Sequence, residues 1–176
     1  MTEPRVFGQQ EFSLLNEALW VAEDSVSDYF RVSEGFWSRH PYELRTLAQL
    51  QGGEVSPVAL AQILKLRRNQ GPGELRGKDF FRICLQDHNF LEVINREADQ
   101  GLFLPLLTYV LTHELVHVIR FGKFHQLFEA DQALREREEA HVSKLCAQVL
   151  GRVKMPQLDR VLGFYEQYGH GRAARA

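Results

Sequence analysis

The chain has 176 residues, 44% hydrophobic and 25% charged, and its 21 Lys and Arg against 23 Asp and Glu leave a net charge of −2. That balance gives no basic surface for nucleic acid, and the length suits a single domain spanning 1–176 with a real core. The polar, acidic N-terminus has no apolar leader stretch and no apolar run reaches membrane-spanning length, so the expectation is a cytoplasmic protein with no membrane partner.

Taken in chain order, Phe12, Leu15, Leu19, Ala22, Val26 and Phe30 recur at helical spacing and predict an amphipathic helix over 11–32. Residues 42–50 alternate Tyr42, Leu44, Thr46, Ala48 and Leu50 on one side, which predicts a strand, with a helix as the alternative. Ser56-Pro57 has the form of an N-cap followed by proline at the first helical position, and predicts a helix to residue 66. Gly71, Pro72, Gly73 and Gly77 mark 68–78 as an exposed loop. Phe81, Ile83 and Leu85 share one face of a predicted strand over 80–86, and Asp87 caps a short helix that ends before Gly101.

Three helices complete the chain. The first, over 103–121, tolerates Pro105 in its first turn and is apolar nearly all round, which makes it central to the fold. The second, over 127–150, stops at Gly151, and the last begins at Pro156 and carries Leu158, Val161, Leu162, Tyr165 and Tyr168. Cys84 and Cys146 stand singly in apolar stretches, as buried thiols rather than a disulfide framework.

Inside the 103–121 helix lies His113-Glu114-Leu115-Val116-His117, an H-E-x-x-H pattern. Histidines four residues apart fall on one helical face and can offer ring nitrogens to one divalent metal, while Glu114 is placed to take a proton from a water there. Two histidines need a third ligand. A third histidine after a glycine turn is absent, since Arg120 and Lys123 occupy those places, and His125 lies beyond Gly122. The cluster Glu136, Glu138, Glu139 on the next helix is the better source. With Leu127, Leu134, Val142, Leu145 and Val149 marking the inward face, Glu138 falls in the middle of the stripe, Glu139 to its side and Glu136 opposite. A carboxylate in an apolar stripe demands a compensating charge, so Glu138 is the predicted ligand, with Glu139 and His141 as alternatives. His141 borders the same stripe, where it can orient a ligand or water, or stabilise an oxyanion.

With His113, Glu114, His117 and Glu138 so spaced, the region around 80–150 resembles the zincin metallopeptidases, and among them the gluzincins, which take their third ligand from a later helix. The resemblance implies a minimal gluzincin-like α+β fold, mostly helical, with a small sheet packed on the H-E-x-x-H helix and the glutamate helix. It implies a zinc-dependent peptidase acting on a peptide or protein substrate, with Zn2+ on His113, His117 and a later glutamate, which the helix-face argument makes Glu138, and Glu114 as general base; an edge strand at 80–86 is expected to align the substrate. His141, Tyr165, Tyr168 and His170 are the candidate transition-state donors, against a plain packing role for the C-terminal helix. Arg120 is read as an internal partner of Asp131 or Glu138 rather than a grip on substrate. His40 and His88 are read as turn and first-turn residues. Two other classes remain open. Glu114-x-x-His117 and Glu138-x-x-His141, with Glu17 or Glu23, have the units of a di-iron carboxylate, ferritin-like bundle. A metal-stabilised binding scaffold without catalysis is the other.

Overall fold

The structure is a computed structural model that describes residues 4–67, 79–123 and 131–168. The predicted loop over 68–78, His125, Leu127, the Tyr168 side chain and His170 lie outside what it describes. It is α+β and mostly helical, with a three-stranded sheet.

Helix α4 (Phe103–Lys123) is the element against which most others pack, and apart from Leu104 every residue from Phe103 to Ile119 is buried. Contrary to expectation, Gln100–Lys123 is long and apolar enough to cross a membrane, but 94% of that apolar window is buried inside the protein. Its apolar surface is used up by neighbouring elements, as in a core helix. Helix α1 (Gln9–Phe30) lies along α4 through Leu15, Ala18, Ala22 and Val26, a stripe at helical spacing whose two alanines let the backbones approach. The short α2 (Glu34–Arg39), too brief to show periodicity, packs its end on the last turn of α4. A Cβ on Gly122 would lie 2.9 Å from the His40 ring and 3.0 Å from Phe36, so glycine is needed there for close approach rather than as a helix stop.

Strands β1 (Tyr42–Arg45), β2 (Ala61–Arg67) and β3 (Asp79–Leu85) form a sheet in the order β1-β3-β2. β1 runs parallel to β3 with Tyr42 opposite Phe81, and β2 runs antiparallel with Ala61 opposite Leu85 and Arg67 opposite Asp79. Three expectations are corrected here. The predicted 42–50 strand stops at Arg45 and passes into a 3-10 turn, Leu47–Gln49, because the Leu47 N–H donates to the buried Asp87 carboxylate at 2.9 Å. The helix predicted from Ser56-Pro57 is instead a turn followed by β2. The Ser56 hydroxyl accepts from Ala59 N at 3.0 Å, its own N–H donates to Gln86 Oε1 at 3.0 Å, and full-length pairing with β3 overrides local helix preference. β3, expected as an edge strand, is central; β1 and β2 are the edges.

Helix α3 (Asp87–Glu97) begins with Asp87, whose carboxylate does not cap it. The two oxygens accept from Phe7 N and Leu47 N, pinning the N-terminal segment and the 3-10 turn to the helix start. Helix α5 (Gln132–Leu150) is capped by Asp131, which accepts from Leu134 N at 2.8 Å, and buries Val142, Cys146, Val149 and Leu150. Helix α6 (Leu158–Tyr168) starts two residues after Pro156 and buries Leu158, Val161 and Tyr165. Both cysteines are free and buried.

The close α1–α4 approach predicts intolerance of bulk. Ala22→Leu, at a position with 0% exposure, should lower unfolding stability by about 1–3 kcal/mol. A urea midpoint unchanged from the parent would show that α1 is less tightly seated than Ala18 and Ala22 indicate.

Candidate metal centre

Helix α4 sets Tyr109, His113, His117 and Phe121 in a line at four-residue spacing along one face. His117 stacks on Phe121, with ring centroids 5.6 Å apart, and Phe121 stacks in turn on Phe81 of β3 at 5.8 Å, so the sheet buttresses the second histidine. His113 and His117 are 1% and 4% exposed, and their Nε2 atoms lie 3.2 Å apart.

The carboxylate that meets them belongs to Glu139, not to the predicted Glu138. Glu139 straddles the pair, with Oε2 3.0 Å from His113 Nε2 and Oε1 3.1 Å from His117 Nε2. Glu138 turns to Arg120, accepting from Nε and, at 3.0 Å, from Nη2. The helix phase explains the difference. Leu134, taken as an inward marker, is 44% exposed, and the buried line is Val142, Cys146 and Val149, which places Glu139 on the inward side one turn earlier. The signal was available in Cys146, a residue type among the most often buried. Arg120 is thus an internal ion-pair partner, as expected. His141 is exposed and does not border the site. With Glu138 engaged by Arg120, His141 outside and Glu17 exposed, the two E-x-x-H units do not converge as a di-iron centre requires.

The ligand set fits a tetrahedral metal. Zn–N bonds of about 2.0–2.1 Å at a tetrahedral angle put ligand atoms about 3.3 Å apart; the two Nε2 atoms are 3.2 Å apart, each lies 3.0–3.1 Å from its own oxygen of Glu139, and one ligand atom from each of the three residues falls within 4.8 Å of the others. Two imidazoles and one carboxylate leave a fourth position for water or substrate.

Burial dominates the electrostatics. It pushes the Glu114 carboxyl up to about 7, an effect that the His117 charge opposes and the Glu139 charge reinforces. It pulls His113 below the ordinary imidazole value despite the Glu139 hydrogen bond. At His117 burial also pulls down, but hydrogen bonding to Glu139 and the charges of Glu114, Glu139 and Glu138 together win and raise it. Burial opposes ionisation of Glu139, yet both imidazoles outweigh it and hold this carboxyl well below the usual range.

The site opens into a cleft of about 1240 Å³ bounded by β2, α4, α5 and α6. Glu114 lines it, as do Tyr109 and Tyr165, whose rings stack at 4.2 Å and 9°. Burial raises both phenols above their ordinary value, so they stay protonated and able to donate. Of the expected donors, Tyr165 is therefore brought to the site and His141 is not. Tyr109 escaped the sequence reading, although its position one turn before His113 marks the same face. His88, by contrast, serves structure, with Nε2 3.1 Å from the Ser56 carbonyl. No protein-family model, curated protein or solved structure matches the chain, so the reading of the site rests on its own geometry.

Zinc titration tests the ligand set. Loss of a direct ligand in Glu139→Ala should exceed the about 10–100-fold loss in affinity typical of outer-shell changes, whereas Glu136→Ala, which removes an acceptor for Gln132 on the same helix, should change little. Equal affinities would assign the third ligand elsewhere. Protons compete for the His117 lone pair, so affinity should fall as pH drops through the raised His117 value, beginning above the ordinary value of about 6.5.

Proposed function

We propose that this protein is a zinc-dependent peptidase, with His113, His117 and Glu139 as metal ligands and Glu114 as general base. The observation that carries the reading is the convergence of two imidazole nitrogens, 3.2 Å apart, with a carboxylate whose two oxygens lie 3.0 and 3.1 Å from them, on the wall of an open cleft and one residue from a buried carboxyl. Two imidazoles and a carboxylate with an open fourth position are the donor set of catalytic zinc sites. Zinc held there supplies Lewis acidity, making water acidic near neutral pH and polarising a carbonyl.

The remaining chemistry falls to the chain's own groups. Glu114, ionised, accepts the proton of the attacking water and then delivers it to the leaving amine. Its raised pKa suits both transfers, since a group poised near 7 gives up a proton as readily as it takes one. Tyr165 and Tyr109 line the cleft wall with protonated phenols. A peptide is the favoured substrate because Ala61, Gln62, Ile63 and Leu64 all border the cleft. Successive strand residues point to opposite faces, so a cleft that touches four in a row meets the strand's edge, where an extended peptide pairs through its main chain. The cleft also exceeds the about 300–1,000 Å³ of small-molecule pockets.

Glu114→Gln should retain zinc and fold while peptide hydrolysis falls by about 10²–10⁴-fold, since an amide does not accept the proton. A parent protein inert towards a broad peptide library, with zinc bound, would favour the binding-scaffold reading instead.

The pH profile supplies a separate check. A raised carboxyl pKa means protonation as pH falls below it, and zinc nearby lowers that pKa again. Hydrolysis by the parent should therefore rise with pH along an acid limb at or below about 7, and this limb should vanish from the residual activity of Glu114→Gln. An identical limb in both proteins would remove Glu114 from the role.

A further inference from the structure

We propose that the Arg120–Glu138 pair is a positioning device that holds Glu139 over His113 and His117; the inference rests on the metal-centre reading above. It comes from how α5 is attached. From Gln132 to His141 no residue of the helix is buried; Glu138 is half-buried, Glu139 is 49% exposed at its side chain, and the rest are exposed. Leu134, the one large apolar residue in that half, is 44% exposed. Apolar packing begins at Val142. Among the described residues, the first half of α5 is therefore joined to α4 through two adjacent carboxylates, Glu139 to the histidines and Glu138 to Arg120.

The Arg120–Glu138 contact is two-pronged, with Nε and Nη2 each donating to a different carboxylate oxygen. Such a fork fixes direction as well as distance, which a single point charge does not. Its side chains are 16% and 12% exposed, so water competes weakly for either partner. Arg120 stands three residues beyond His117 and Glu138 one residue before Glu139. A displacement of the pair is thus transmitted to the ligand set over less than one helical turn. Neighbouring helix positions differ by about 100°, so anchoring Glu138 on Arg120 also fixes the rotation of α5 that aims Glu139 inward. Without the anchor, this ten-residue stretch, nine of its residues exposed, is a helix segment shorter than water supports unaided, and it would fray from its N-terminal end. A metal ligand needs placement to within about 0.5 Å, which a fraying segment does not give.

The test is made on the full chain with Zn2+ and Co2+. Glu138→Gln and Arg120→Lys should each weaken zinc binding by about 10–100-fold, the size of outer-shell effects, at a temperature where both remain folded. Their Co2+ visible spectra should shift towards that of Glu139→Ala, and amide exchange should quicken over 132–141 while 142–150 stays protected. Exchanging the charges in Arg120→Glu/Glu138→Arg should recover at least part of the lost affinity. Parental zinc affinity and parental cobalt spectra in both single variants, with a lower melting temperature alone, would overturn the proposal and leave the pair as a stabilising link. A parent that binds neither metal would overturn the metal centre itself, and the positioning role with it.

Discussion

The burial of His113, Glu114 and His117 within a helix otherwise lined by leucine and valine governs everything around α4. Polar groups taken out of water must find partners in the protein, because each unmatched one costs of the order of 1–3 kcal/mol. The neighbours respond to that demand. Glu139 reaches across from α5 to the Nε2 atoms of both histidines, Phe121 and Phe81 supply apolar packing behind His117, and the cleft opens on the side where Glu114 lies. Burial is also what raises the Glu114 carboxyl, so the constraint that shapes the packing sets the acid–base character of the site.

The fold carries two kinds of attachment. α1 is held to α4 by an apolar stripe that includes Ala18 and Ala22, and the second half of α5 by Val142, Cys146 and Val149. Hydrophobic contact of this sort tolerates small shifts. The first half of α5 is joined by charge and hydrogen bonds, which are directional and weaken steeply with misalignment. Glu139, the proposed metal ligand, lies in the directional half, where position is specified by geometry rather than by volume.

How much of this was legible in the sequence follows from the range of the forces involved. α4, α1 and β3 were readable because their apolar spacing is a local property and their burial is extensive. The two histidines and Glu114 were readable because a helix fixes the relation between residues four apart. The third ligand was not, since choosing Glu138 or Glu139 requires the rotation of α5 to better than about 100°, and Leu134 and Leu145 gave a false phase. In Cys146 and Val149 the true phase was present but quieter. β2 was misread for a different reason: Ser56-Pro57 opens a helix or a turn equally well, and the decision lay with Gln86, thirty residues along the chain, and with the β3 partner, beyond any local pattern. Asp87 repeated the lesson, since its carboxylate serves Phe7 and Leu47 rather than its own helix.

β2 has one hydrogen-bonded neighbour, β3, and among the described residues no strand covers its other side. An edge open to an extended chain does not distinguish a ligand from a second copy of the protein, so the edge proposed to align a peptide also invites self-association. Lys65 and Arg67 share the single Asp79 carboxylate at the far end of this strand, which leaves a net positive charge there that repels its like on an approaching copy. The Ala61–Leu64 end, which borders the cleft, has no charged side chain. Colloidal behaviour and ligand occupancy are therefore linked in this molecule: whatever fills the cleft along β2 also shields the stretch of backbone most prone to pair with itself.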